Sequence, residues 1–180
     1  MKKVLLLTIA SMLCASMAFA QGGTIGLYGD NQGTSCQLLD NAMGLKSYYV
    51  VHMNTAGASA CEFAAPKPAC LTAQFLSDAS VFPVTVGGSQ TGVSIGYGVC
   101  KVAPIHVYTI NFFAMGTTPA CCLYPVTPHP VTGGPWMVDC SNNQLLAGMN
   151  IAVVNGNLTC TCEIVPTEDT TWGGVKALYE

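Results

Sequence analysis

The chain has 180 residues, of which 51% are hydrophobic and only 8% charged, with a net charge of −3. That length suits one domain able to bury a core of its own, and the composition is unlike that of a disordered tail. Past residue 20 there remain four lysines, no arginine and nine carboxylates, a net charge of −5, so no basic patch exists to neutralise phosphates and nucleic acid is excluded as a partner.

The start, "MKKVLLLTIASMLCASMAFAQ", has Lys2 and Lys3 as a charged head, an apolar run over residues 4–17, and Ala18-Phe19-Ala20 as a small-residue cleavage site before Gln21. This pattern is a bacterial-looking secretory signal peptide, residues 1–20, cut after Ala20. Cys14 follows Leu13, where lipoprotein processing needs a small residue, so lipidation is not expected. No later stretch stays apolar over the ~18 residues of a membrane helix. The expected product is a soluble protein, secreted, extracellular or at the cell surface, with the periplasm as an alternative. It comprises a β-domain over residues 21–165 and a tail or short helix over residues 166–180.

Along the chain, short β-runs alternate with turns. "TIGLY" (24–28) alternates apolar residues and ends in Asp30-Asn31-Gln32-Gly33, a turn that lacks the ligand count of a calcium loop. "SYYVVHM" (47–53) is β-branched and aromatic, and "ASACEF" (58–63) runs up to Pro66 and Pro68. "CLTAQFLS" (70–77) reads as two helical turns. "SVFPVTV" (80–86) contains Pro83, which marks an edge strand or a bulge. "PIHVYTINFF" (104–113), apolar on both faces, reads as a central strand. "WMVDC" (136–140) follows, with Asp139 as a turn cap. "NIAVV" and "NLTCTCEIV" flank Asn155-Gly156, a strong hairpin signal. Asn157-Leu158-Thr159 matches a glycosylation sequon, to which a bacterial leader gives little weight. In the tail, Trp172, Val175 and Leu178 are spaced three apart after Thr170 or Thr171. They either cover one end of the domain or belong to a detachable sorting segment. About nine short strands with little helix indicate an all-β, antiparallel sandwich.

One motif suggests chemistry. Gly92-Val93-Ser94-Ile95-Gly96 matches G-x-S-x-G, the serine elbow of many hydrolases. An elbow needs a helix directly after the serine. Here Tyr97-Gly98-Val99-Cys100 and then Pro104 follow, and Val93, Ile95 and Tyr97 alternate with small residues, so the segment is a strand with one small-residue face. His52 and His106 lie in strands that would make them neighbours if paired, and with the cysteines they define an alternative reading as a small metal-binding or hydrolytic enzyme. His129, between two prolines, belongs to an exposed loop. No catalytic residue, metal or cofactor is expected.

Nine cysteines follow the leader. Export makes disulfides the default for Cys36, Cys70, Cys100, Cys121, Cys122, Cys140, Cys160 and Cys162, each worth roughly 2–4 kcal/mol. The C-x₂₋₄-C pairs of structural zinc sites are missing. Adjacent Cys121 and Cys122 point apart in an extended segment and should take different partners, whereas Cys160 and Cys162 share one face of a strand. On the order of a hundred connectivities remain open. An odd number leaves one thiol over. Cys61 shares a face with Phe63, and a core-facing free thiol acts as a small apolar group, so Cys61 is the expected unpaired one.

The run from "SYYVVHMNTAGASACEFAAP" through "TGVSIGYGVCKVAPIHVYTINFFAMG" resembles the cohesin-like branch of immunoglobulin-type sandwiches, with Phe63 as the core phenylalanine and residues 108–114 as its later strand. The mature chain is also similar to uncharacterised exported bacterial Cys-rich proteins that carry "IGLYGDNQGTSC", "TGVSIGYG", "CC" and "TTWGGVKALY". The first resemblance implies a β-sandwich; its family's protein-partner contacts do not map onto residues here. Together these readings describe a non-catalytic secreted or cell-surface protein with a binding, adhesion or matrix role. Its partner is a macromolecule, protein or polysaccharide, or the chain itself, with no membrane contact once the leader is gone. A self-assembling filament subunit, linked by the odd cysteine or an edge strand, is the other alternative. Mass spectrometry of the exported protein is expected to show a chain starting at Gln21, one thiol alkylated before reduction in denaturant, and nine after it. Seven or more thiols before reduction would overturn the disulfide framework.

Overall fold

The computed structural model describes residues 22–162; the expected signal peptide with its expected cleavage after Ala20, and the expected tail or short helix, lie outside the described residues. Thirteen strands and no helix are found there: β1 (Thr24–Tyr28), β2 (Gln37–Leu38), β3 (Met43–Met53), β4 (Ala58–Phe63), β5 (Gln74–Ser80), β6 (Val84–Gly88), β7 (Gly92–Lys101), β8 (Ile105–Met115), β9 (Cys122–Pro125), β10 (Trp136–Asp139), β11 (Gln144–Leu146), β12 (Gly148–Met149) and β13 (Ile151–Val154). No helix among the described residues is long and apolar enough to cross a membrane.

The strands form two five-stranded sheets, β12-β1-β3-β8-β5 and β11-β10-β4-β7-β6, and a three-stranded sheet, β2-β13-β9. Alternation along β3 and β8 builds the first sheet's inner face from Tyr48, Val50, His52, Tyr108, Ile110 and Phe112, all buried. The second sheet answers with Cys61, Phe63, Val93, Ile95 and Tyr97. Contact across the layers is direct: the Phe63 and Tyr108 rings meet edge to face at 6.1 Å, and Tyr97 reaches His52. The small sheet joins the same core through Leu38, Tyr124 and Val154, with the Tyr124 ring set edge-on to Tyr48 and Phe112 at 6.4 and 6.2 Å.

Four disulfides pin this arrangement: Cys36–Cys162, Cys70–Cys122, Cys100–Cys140 and Cys121–Cys160. Cys121 sits at φ +65°, a left-handed conformation that sends it and Cys122 toward different partners. Cys61 is unpaired and buried.

Several sequence expectations need correcting. The sheets are not wholly antiparallel, since β1 pairs with β12 and β2 with β13 in parallel. Five strands lie outside the expected set: β2, β11 and β12, of two or three residues each and too short to display alternation, β9, and β5, which falls in the segment that reads as helix. The segment 70–77 is not helical: from Gln74 it runs as β5 along the open edge of β8, with Phe75 edge-on to Phe112 at 5.9 Å. Ladder pairing and ring burial override its helical appearance. Segment 80–86 is split at Pro83, with Ser80 ending β5 in one sheet and Val84 beginning β6, an edge strand of the other. Asn155-Gly156 makes no hairpin, because residues 157–162 form no strand. The Asn155 side chain instead accepts from the Asp40 N–H and donates to the Asp40 and Thr118 carbonyls. Cys160 and Cys162 therefore share no strand face, and they are tied to cysteines in different parts of the fold.

Phe63 is wholly buried between the two large sheets. Phe63→Ala is expected to destabilise the oxidised protein by about 3–5 kcal/mol in urea unfolding, by lost transfer energy and a residual cavity.

Candidate functional site

The second sheet's outer face is built by the same alternation that fills its inner one. On β4 the outward residues are Ala60 and Glu62, and on β7 they are Ser94 and Gly96. The ladders align them: Ala60 pairs with Gly96 and Glu62 with Ser94. Across β7, Gly96 pairs with Val84 and Ser94 with Val86. On the other side Val138 pairs with Ala60, and Trp136 lies one step past the Met137–Cys61 pair. Beyond β10, Gln144 pairs with Val138. Two cross-strand rows result: Val84, Gly96, Ala60 and Val138, with small residues in the middle, and Val86, Ser94, Glu62 and Trp136, where small Ser94 sits beside Glu62. The outcome is a groove of about 260 Å³ floored by Ala60, Ser94 and Gly96 and walled by Val84, Val86, Trp136 and Val138. Val84 and Val86 stand 60% and 71% exposed on its rim.

Polar groups in the groove are few. Ser94 Oγ donates to Glu62 Oε2 at 3.1 Å. The Trp136 indole donates to the Thr132 carbonyl at 3.3 Å, and Gly134 lies so close that an added Cβ would meet the ring nitrogen at 2.7 Å. The loop thereby fixes the ring's orientation.

Ser94 sits mid-strand on β7, which runs on to Lys101 and is followed by β8. Strands β3 and β8 do pair, yet the register sets His52 opposite Ile105 and His106 opposite Val51, so the two imidazoles leave opposite faces of the sheet. His106 packs edge-on to Tyr49 at 5.4 Å and contacts the Tyr108 carbonyl and Thr109 hydroxyl. His129 is half-buried rather than exposed, its ring packed on the Gly92 backbone, and it does not line the groove. Among the described residues no three His, Cys, Asp or Glu side chains come together as metal ligands.

Both turn aspartates serve their own loops. Burial pushes the Asp30 carboxyl up, but donors from Thr34, Gln32 and Ser35 outweigh it and hold the carboxyl below the usual range. Asp139 is held low by the Asn143 side chain and by backbone donors of Asn143 and Ser141. A second cleft, of about 400 Å³, borders that turn near Gly57 and Cys140, but its carboxylate is already saturated by these donors at 2.8 Å.

Beneath the groove floor runs a buried polar chain. Burial pushes the Cys61 thiol up to about 12. His52 Nε2 faces the Gly22 carbonyl at 2.8 Å and must donate to it, so Nδ1 accepts the Tyr97 hydroxyl at 3.1 Å. Every buried side-chain polar atom described has a partner.

In comparisons with protein-family models, curated proteins and solved structures, no match to this chain was found. In sequence, Glu62 and Trp136 stand only inside the β-runs 58–63 and 136–140, and Val84 and Val86 inside 80–86, with none of them marked as a site residue. The available signal was the pairing of outward small residues on two strands with outward valines on a third.

Burial lowers the His52 pKa, and His106 is lowered the same way. A depressed histidine pKa means that the unfolded chain takes up protons first as pH falls. Stability is thus full above about 6.5, the unfolded histidine value, and declines below it before carboxylates protonate. Urea midpoints at pH 7.5 and 5 are expected to show this loss, and His52→Gln to reduce it; an unchanged pH slope in the variant would refute the assignment.

Proposed function

We propose that the chain is an exported, non-catalytic protein that binds a macromolecule through the outer face of the β11-β10-β4-β7-β6 sheet. The observation that carries this reading is the groove itself: an apolar trough, with an oriented tryptophan and rim valines exposed to solvent, on a face that no other element covers among the described residues. Contiguous exposed apolar surface around a concavity marks interaction sites, since a soluble chain otherwise buries or breaks up such surface. We read the two facing five-stranded sheets as an immunoglobulin-like sandwich of the cohesin-like kind, a reading supported by the long β3–β8 pair and the core position of Phe63. Export is supported by the leader pattern and by four disulfides, which persist in oxidising compartments. The hydrolase alternative gains little from Ser94, which lies mid-strand, has a carboxylate as its hydrogen-bond partner, and has no histidine beside it in the groove lining among the described residues.

Self-assembly is the second reading, favoured by β6. This edge strand, Val84-Thr85-Val86-Gly87-Gly88, carries no charge to discourage pairing with another strand. A cross-link through Cys61 does not fit, because that thiol is buried.

Labelled protein is expected to bind the producing cell's envelope saturably, with Val86→Asp weakening binding at least about tenfold (about 1.4 kcal/mol). Met43→Asp, at an exposed residue of the other large sheet, is expected to leave binding unchanged. Equal binding by both variants would sink the proposed face. Sedimentation at rising concentration separates self-assembly from binding of a second molecule.

A further inference from the structure

Among the described residues, Glu62 is the only charged one lining the groove. Its neighbours there are valines, alanine, glycine and tryptophan, and the one hydrogen bond it accepts among the described residues is from the neutral Ser94 hydroxyl. A carboxylate set in an apolar trough, with no cation lining that trough, is complementary to a positive charge brought by another molecule and repels a negative one. The shape narrows the choice further. From Glu62 the trough runs over the Ala60–Gly96 pair between Val84 on one side and Val138 on the other. An aliphatic stem fits such a channel, and Lys and Arg carry a stem of that kind behind a charged head. Trp136 lies next to Glu62 across the sheet, where its ring attracts a cation as well.

Resting on the reading of this face as a binding surface, we infer that its partner is a protein that inserts a lysine or arginine side chain into the groove. The stem lies over Ala60 and Gly96, and the cationic head meets the Glu62 carboxylate beside Trp136. The acidic balance past residue 20, nine carboxylates against four lysines, favours approach of a basic segment.

The test uses the exported protein, ¹⁵N-labelled with its disulfides intact, titrated with three probes. These are a glycine-serine peptide with one central arginine, the same peptide with glutamate in place of arginine, and maltohexaose. The arginine peptide is expected to shift the amides of Ala60, Glu62, Ser94 and Gly96 and the Trp136 indole saturably, and less so as salt rises. Glu62→Gln is expected to weaken that binding at least about tenfold. Gly96→Ala, which raises the floor and leaves the charge in place, is expected to weaken it too. An added Cβ there meets Val84 at 3.4 Å, so the fold admits it. Binding to Glu62→Gln within about twofold of the parent would overturn the inference while leaving the binding face standing. Shifts of these resonances by the glutamate peptide or by maltohexaose, and not by the arginine peptide, would do likewise. If no probe moves them, both the inference and the binding face fall.

Discussion

Two strands in the middle of the second sheet must satisfy water on one side and the core on the other, and the rest of the molecule depends on how they do it. Inward, β4 and β7 present large side chains, Phe63, Val93, Ile95 and Tyr97, which fill the space between the sheets. Outward, they present Ala60, Ser94 and Gly96, too small to cover their own backbone. Because a strand's side chains alternate strictly, the bulk that seals the core and the hollow that faces solvent arise from the same residues taken two at a time. Shifting either strand by one residue would exchange the two sets and destroy both at once.

Buried polar groups supply the specificity that an apolar core alone lacks. Asp40, fully buried, accepts from the Gly116 N–H and the Thr118 hydroxyl, and Asn155 joins the same knot. Three distant loops are thereby fixed beside the small sheet. Asp78 of β5 accepts from the backbone and hydroxyl of Ser89, which ties the edge of the first sheet to the β6–β7 turn of the second. The disulfides reinforce these joints at loops and strand ends; they do not replace the core, which is continuous across all three sheets.

The strands that proved legible in sequence were those whose alternation lasts five residues or more. "TIGLY", "ASACEF" and "TGVSIGYG" occupy β1, β4 and β7, and the all-apolar "PIHVYTINFF" became β8, flanked on both sides as its two-faced pattern implies. Residues 70–77 misled because Leu71 and Phe75 mimic a helical spacing, while what decides their structure is the free edge of β8, more than thirty residues downstream. Asn155-Gly156 misled because a side chain able to turn the backbone was spent on a carbonyl network instead. The groove was legible only in fragments. Its floor and walls come from β4, β6, β7 and β10, and local pattern does not disclose that these four lie side by side.

The Cys36–Cys162 bridge spans 126 positions and brings the last described residue beside Tyr28 and Val51. Val51, though buried beneath Tyr28 and the bridge, belongs to the face of the first sheet turned away from the second, opposite Trp136 and Glu62. An attachment made at Cys162 itself would therefore pull from its back. Held that way on a surface, the molecule would stand with its trough turned outward, toward whatever arrives.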